Sequence, residues 1–167
     1  MSTPLPEPWL RGPLEGVPPH LMPVFHSFAQ VREDLALHTS GLANEHVWRR
    51  IDPIPALGFQ LRHIAGSVDR LVTYLMAREL SEVQLTALRR ESEPGASLAE
   101  LLAEVDRSLG DAEDRLRAIP EASLHEARFV GKKRLPSTVL GLLVHVAEHT
   151  QRHLGRAITT AKLLRGA

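Results

Sequence analysis

The sequence predicts an all-α fold, a four-helix bundle with crossover connections. Aromatic residues make up only 4% of the 167 residues, and β-branched residues nowhere alternate with polar ones over the length of a strand. Leu, Ala, Glu and Arg dominate instead, and apolar residues recur at spacings of three and four in four long segments. Four amphipathic helices joined by connections of this length bury their apolar faces by forming a bundle.

The N-terminal residues 1–20 are predicted to form a proline-rich arm ahead of a bundle domain at residues 21–167. Six of the twelve prolines lie in this arm, so it should run extended rather than helical. Trp9, Leu10 and Leu14 could pin the arm to the bundle, and an unstructured tail is the alternative.

The first two long helices are expected at residues 21–42 and 56–79. Apolar residues line one face of each segment at helical spacing, and Gly41 falls where the first helix should end. Between the two segments, Pro53 and Pro55 break the helical pattern and fix a turn.

One flank of the second helix is polar enough to line a pocket. At about 100° per residue, His63 falls beside the apolar stripe rather than in its middle. Gln60, Ser67 and Tyr74 share that flank. The second helix therefore offers His63 as a candidate metal ligand.

Two capping boxes mark the starts of further helices. Ser81 is followed by Gln84 at the start of a short helix, and Ser97 is followed by Glu100 at the start of the third long helix. The third long helix should run to about residue 118.

Residues 120–136 are expected to form an irregular loop. The densest basic cluster of the chain lies there, at Arg128, Lys132, Lys133 and Arg134. This basic cluster is either part of a solvated loop or an anion-binding rim at the mouth of a site.

The fourth long helix should be capped by Ser137, end near residue 164, and carry His145, His149 and His153. Residues four apart lie one above the other on a helix, so each neighbouring pair can aim two imidazoles at one point. Neutral imidazole suits Zn, Ni, Cu or Fe, and a catalytic site usually has three protein ligands. The third ligand must then come from elsewhere; the alternative is that these histidines are ordinary boundary residues.

Composition and motifs exclude several classes of function. The absence of cysteine excludes thiolate zinc sites and cysteine nucleophiles, and 20 basic residues balance 20 acidic ones, which gives no charge footprint for nucleic acid or an anionic membrane. The segment from His145 to His149 matches the H-x-x-E-H signature of inverted zinc proteases, but no acidic ligand follows Glu148. No glutamate has a histidine three residues later, as a di-iron bundle requires.

The N-terminal residues also lack the basic and apolar regions of a signal peptide. No apolar run reaches the length of about 18 residues that could span a bilayer. These observations predict a soluble, cytoplasmic protein.

With these residues laid out, the chain resembles the DinB/YfiT-like superfamily of bacterial four-helix bundles. The resemblance rests on the segments at residues 61–71 and 143–155, and it extends over most of the chain. It implies that one histidine of the second helix and two of the last helix hold a divalent metal. Transferred to this sequence, the implied ligands are His63, His149 and His153.

With these ligands, His145 becomes a residue beside the site or at its boundary, because a single ion cannot take both ends of an eight-residue span. By their positions alone, Tyr74 or Glu148 could assist proton transfer, and a structural role is the alternative for both. Where the last motif of the family commonly reads His-x-Gly-Gln, this chain has Arg156. Arg156 and the basic cluster could hold an anionic substrate.

The resemblance implies a metal-dependent enzyme, either a thiol-dependent transferase or a hydrolase. It would use Zn or Ni, with Mn or Fe as alternatives, act on a small thiol or other small molecule, and form a homodimer. The competing interpretation is a non-catalytic, stress-related or scaffold bundle with a structural or absent metal, acting by dimerisation or small-ligand binding. An open coordination position favours the enzyme, whereas a fourth protein ligand such as His145 favours the structural role.

Overall fold

A computed structural model of the protein describes residues 5–166. Its four long helices are α1 (Met22–Thr39), α3 (Leu57–Leu75), α5 (Leu98–Leu116) and α6 (Val139–Gly166). Two shorter helices lie in the connections, α2 (Asn44–Val47) and α4 (Glu82–Arg89). The four long helices form a bundle, which confirms the predicted fold class.

The long helices contact one another in the cyclic order α1, α6, α3, α5. α1 and α6 are parallel, since Ser27 contacts Ala147 near the start of α1 and Ser40 contacts Arg165 beyond its end. α3 is antiparallel to α6 and parallel to α5, and α5 is antiparallel to α1. Because parallel neighbours cannot be joined by a short turn, the chain crosses over between α3 and α5 through the segment that contains α4.

The apolar stripes of the four helices meet in one core. Phe28, Leu61, Leu109 and Leu143 are examples from each long helix, and each is almost completely buried. No helix within residues 5–166 is long and apolar enough to cross a bilayer.

Both predicted capping boxes are confirmed. Ser81 Oγ accepts a hydrogen bond from the Gln84 backbone N–H at 3.2 Å, and Ser97 Oγ accepts one from the Glu100 backbone N–H at 3.3 Å. These bonds satisfy N–H groups that have no partner within the first turn of a helix.

The prediction of an irregular loop at residues 120–136 is wrong in part, because the structure has a β-hairpin there. Strands β1 (Ala127–Val130) and β2 (Leu135–Thr138) pair in antiparallel register. Arg128 Nε donates to the Leu75 carbonyl oxygen at 2.6 Å, so the hairpin packs against the C-terminal end of α3. This tertiary contact has no counterpart in the local sequence pattern.

The start of α6 differs slightly from the prediction. β2 includes Ser137, so the predicted cap lies within the strand. Thr138 Oγ1 accepts from the Gly141 backbone N–H at 3.0 Å in its place. The helix continues past residue 164 to Gly166.

The N-terminal arm lies against the bundle. Pro8 and Val17 are buried and Leu14 packs partly against the core, whereas the predicted anchors Trp9 and Leu10 are 63% and 56% exposed. Leu14 is thus the one predicted anchor that contacts the core.

The arm is also not extended throughout, since it forms short 3₁₀ turns at Pro8–Leu10 and Pro19–Leu21. Arg11 pairs with Glu33 of α1 through two contacts of 2.5 and 2.7 Å. The first four residues of the predicted arm lie outside the described range, and the division into an arm and a bundle domain stays a prediction.

Candidate metal centre

His63, His149 and His153 converge where α3 lies against α6. His63 is in the second turn of α3, and its two partners are one turn apart near the middle of α6. One ring nitrogen from each imidazole lies within 4.8 Å of the other two, and the Nε2 atoms of His63 and His149 are 3.1 Å apart. The structure thus brings together the three residues that the resemblance implies as ligands.

Two buried acceptors orient the rings of His63 and His153. Glu91 Oε2 lies 2.8 Å from His63 Nδ1, and Gln60 Oε1 lies 2.8 Å from His153 Nδ1. Each acceptor places the ring proton on Nδ1 and therefore leaves a lone pair on Nε2. Metal-ligating histidines usually have an outer partner of this kind, which fixes both the tautomer and the ring orientation.

Glu91 is itself held by a buried arginine. Arg70 Nη2 lies 2.7 Å from Glu91 Oε1, and both residues are more than nine-tenths buried. Burial alone would raise the pKa of Glu91, but its interactions with His63 and Arg70 outweigh burial and lower that pKa. The carboxylate is therefore ionised and accepts a hydrogen bond from the N–H group at His63 Nδ1.

Gly66 allows the ion pair between Arg70 and Glu91 to lie close to α3. A Cβ atom at Gly66 would come within 2.6 Å of Arg70 Nη1 and 2.8 Å of Glu91 Oε1. Both distances are shorter than a van der Waals contact permits. A larger residue here would displace the groups that orient His63.

His149 and His153 are neutral at pH 7. Burial, followed by the charge of nearby His63, lowers the pKa of each to about 4. Neutral imidazole is the form that binds metals, so both rings have a lone pair available. His149 Nδ1 is buried and has no hydrogen-bond partner in the described part of the chain. His149 is therefore the ring of the three that the protein constrains least.

The donor set fits a divalent transition metal. Two Nε2 lone pairs that face each other at 3.1 Å repel unless a proton or a cation lies between them. A tetrahedral zinc with Zn–N bonds of about 2.0–2.1 Å separates its ligand nitrogens by about 3.3–3.4 Å, which is close to this distance. Three imidazole ligands suit Zn, Ni, Cu or Fe better than Mg or Ca, which take oxygen ligands.

A second group of ligating atoms shares His149 with the first. His145, Glu148 and His149 also have ligating atoms within 4.8 Å of one another. His145 Nδ1 is 2.8 Å from Glu148 Oε1, and Arg152 Nη2 is 2.6 Å from Glu148 Oε2. The hydrogen bond from Arg152 lowers the pKa of Glu148, so its carboxylate is ionised. His145 and Glu148 are 44% and 43% exposed and lie on the solvent side of His149.

Tyr74 and the basic cluster are not brought to the imidazoles. Tyr74 is on α3 but eleven residues beyond His63, about 16 Å along the helix axis. It lines a different cavity together with Arg128 and Lys132. The basic cluster is therefore not a rim of the three-histidine site, because the hairpin packs at the far end of α3.

Arg156 lies closer to the site, where it lines a cavity with Gln60. Gln60 was expected on the pocket flank without a role, and the structure shows it holding the ring of His153. Glu91 and Arg70 were missed. Glu91 follows α4 in a polar turn that has no local signal of function.

Comparison with known proteins supports the fold of the chain. Among solved structures, YfiT from Bacillus subtilis, described as "a probable metal-dependent hydrolase with an unusual four-helix bundle topology", matches with a TM-score of 0.63 and 15% identity, over 90% of this chain and 91% of that one. A protein from Streptococcus pneumoniae matches with a TM-score of 0.62 and 14% identity, over 86% of this chain and 88% of that one. At these identities the likeness is one of fold alone.

No curated protein matches the chain in sequence. A family model described as the DinB superfamily matches residues 27–157, a range that includes all three converging histidines. This range covers most of the chain. The chain therefore belongs to the DinB superfamily.

Proposed function

We propose that the protein is a divalent-metal-dependent enzyme, a hydrolase or a thiol-dependent transferase, whose metal is held by His63, His149 and His153. The main support is the convergence of three imidazoles with no fourth His, Asp or Glu in their group within the described residues. Three protein ligands and an open position are typical of catalytic sites, whereas structural zinc sites have four protein ligands. A divalent ion held there would lower the pKa of a water or thiol and so supply a nucleophile near neutral pH.

The surrounding side chains would divide the remaining tasks. Glu91 and Gln60 would keep the rings of His63 and His153 oriented, so that little reorganisation accompanies binding. Glu148 is ionised and exposed beside His149, and it would accept a proton from the nucleophile. Its hydrogen bond with Arg152 makes it a weak base, so we expect a modest contribution.

The two reaction types have different support. Hydrolysis is supported by the likeness in fold to YfiT, which is described as a probable metal-dependent hydrolase. Thiol transfer follows from the family resemblance of the sequence. Zn or Ni is the metal we propose, because both accept three imidazole ligands, with Mn or Fe as alternatives.

We also propose that the protein forms a homodimer. Leu140 and Val144, one turn apart on α6, are 41% and 58% exposed, and Leu135 of the hairpin is 58% exposed. Analytical ultracentrifugation of the untagged protein should give twice the chain mass. A monomer at micromolar concentrations would contradict this proposal.

The competing function is a non-catalytic bundle with a structural or absent metal. It requires either a fourth protein ligand or no metal at all. His145 is the nearest candidate for a fourth ligand, but its Nδ1 is paired with Glu148 and its side chain is 44% exposed. This arrangement favours the enzyme.

Elemental analysis of protein purified without a histidine tag tests the proposal. We expect about one Zn or Ni per chain in the wild type and loss of this metal in His149→Ala. The matched control is His125→Ala, which removes an exposed histidine after α5 and should keep the metal.

The same preparations should then be screened for ester and amide hydrolysis and for thiol transfer. Activity should disappear on chelation, return on addition of the metal, and be absent from His149→Ala. Wild-type protein that binds neither Zn nor Ni would contradict the metal site. A metal-loaded protein inactive in all these screens would favour the non-catalytic bundle.

A further inference from the structure

A cavity of about 400 Å³ lies between α6 and the loop that precedes α3, next to the buried ring of His153. Its apolar lining includes Pro53, Ile54 and Pro55. Its polar lining includes Gln60, Arg152 and Arg156. The cavity thus combines a short apolar surface with side chains that donate hydrogen bonds.

Gln60 contributes an unused donor to this cavity. Its side chain is 0% exposed, and its Oε1 accepts from His153 Nδ1 at 2.8 Å. Because the amide oxygen faces His153 Nδ1, the ring carries its proton on that nitrogen, and the amide nitrogen points away from the ring. Gln60 Nε2 then has no hydrogen-bond partner among residues 5–166. Buried polar groups nearly always have partners, so this nitrogen requires an acceptor that the described residues do not supply.

The charges that line the cavity leave one positive charge unpaired. Arg152 is neutralised by Glu148, whose Oε2 lies 2.6 Å from Arg152 Nη2. Arg156 forms no ion pair within the described part of the chain. A carboxylate carries one negative charge at neutral pH, whereas a phosphate monoester carries about 1.5 to 2. One unpaired arginine beside an amide donor therefore matches a carboxylate better than a phosphate.

We propose that this cavity binds the carboxylate of a small, otherwise apolar substrate, through Gln60 Nε2 and the guanidinium of Arg156. The apolar part of the substrate would lie against Pro53, Ile54 and Pro55. That the ligand is a substrate rests on the proposed metal-dependent function, but its binding to the cavity does not require the metal. Arg156, which stands where the family motif commonly has Gln, becomes the specificity residue of this chain.

An NMR titration with butyrate, a short apolar carboxylate, tests the proposal on ¹⁵N-labelled protein loaded with zinc. The side-chain amide signal of Gln60 should shift and saturate. Arg156→Gln should weaken butyrate binding by about tenfold or more, because a hydrogen bond to a charged group is lost. The matched control is Lys162→Gln, which removes one positive charge from α6 outside the cavity. It should leave the affinity within about twofold, since exposed charges at a distance are screened.

The outcomes that oppose the proposal are distinct. A Gln60 signal that butyrate does not move, or a response that Arg156→Gln leaves unchanged, would overturn it and leave water as the partner of Gln60. Tighter binding of inorganic phosphate than of butyrate would overturn the assignment to a carboxylate.

Repeating the titration on chelated protein separates this inference from the proposed function. Saturable butyrate binding that depends on Arg156 would support the cavity even if the chain holds no metal. If the protein binds one zinc ion per chain but does not respond to butyrate, the result would support the metal site and contradict the proposed carboxylate site.

Discussion

The two groups of potential metal ligands that share His149 differ in how their imidazoles are held. The first group, His63, His149 and His153, lies between α3 and α6 and is called the buried group. Glu91 and Gln60 fix the Nδ1 atoms of His63 and His153 in it, and both of these acceptors are more than nine-tenths buried. The second group, His145, Glu148 and His149, is called the exposed group. In it, His145 Nδ1 contacts the carboxylate of Glu148, which also pairs with Arg152. The polar contacts of the exposed group are made by side chains of α6 alone. Those of the buried group also need residues of α3 and of the turn after α4.

This difference indicates what selects a metal site from a helical row of histidines. On α6, the pairs at 145 and 149 and at 149 and 153 have the same spacing of four, so the helix alone does not distinguish them. The distinction comes from the neighbouring helix, which adds His63 and Gln60 on the side of His153. Tertiary contacts decide which pair gains a third imidazole.

The largest expected effect is the contrast between His153→Ala and His145→Ala. Calorimetric titration of metal-free protein with zinc should show that His153→Ala loses more than about 100-fold in affinity, because losing a ligand costs more than losing its outer partner. His145→Ala should stay within about threefold of wild type, since its exposed ring lies outside the buried group. The reverse ranking would place the metal in the exposed group.

The next effect comes from Glu91→Gln, which leaves all three imidazoles in place. Loss of the charge that orients His63 should weaken zinc binding by about 10–100-fold. Glu148→Gln, the equivalent change in the exposed group, should leave zinc affinity nearly unchanged. Equal losses in the two variants would contradict the distinction between the groups.

Stability needs a separate control in that experiment. Glu91→Gln leaves Arg70 buried without its ion-pair partner, which should lower the free energy of unfolding by about 3–5 kcal/mol. Replacing Arg70 by Met in the same chain should restore most of this stability but not the affinity for zinc. If the double variant regained wild-type affinity, Glu91 would act only by stabilising the fold.

A smaller effect is expected from alanine at two helical glycines. Gly110→Ala, on α5, meets no atom within 4 Å and should raise the free energy of unfolding by about 0.4–1 kcal/mol. Gly66→Ala should not show this gain, because its Cβ would displace Arg70 and Glu91. It should also lower zinc affinity, whereas Gly110→Ala should not. Denaturant unfolding and zinc titration of both variants measure the two effects, and matching behaviour would contradict the role of Gly66.

Much of the fold and part of the site could be predicted from the sequence, because their signals are local. The spacing of apolar residues gives the four long helices, and the capping boxes at Ser81 and Ser97 mark two helix starts. The row of histidines on α6 and the flank position of His63 depend only on helical geometry. Choosing His149 and His153 over His145, however, required the family resemblance.

The remaining features depend on contacts between distant segments. Glu91 is 28 residues from His63 in a polar turn, so nothing near it in sequence indicates that it becomes buried. The hairpin was missed because its strands are only four residues long and are held by a contact between Arg128 and the end of α3. Helical periodicity describes how a segment faces the core and does not report which loop covers it.

The last expected effect is a pH dependence that separates His149 and His153 from ordinary packing residues. His149 and His153 have pKa values of about 4 in the folded protein, below the ordinary 6.5. Between pH 6.5 and 4 the unfolded chain therefore binds more protons, so the free energy of unfolding falls as the pH is lowered and is fully retained above 6.5. His153→Ala should make this fall shallower, whereas Leu154→Ala, which removes a buried side chain that does not titrate, should lower stability equally at each pH. Urea unfolding of chelated protein from pH 7 to 5 measures the slopes, and a slope in His153→Ala as steep as in wild type would mean that His153 takes up no proton in this range.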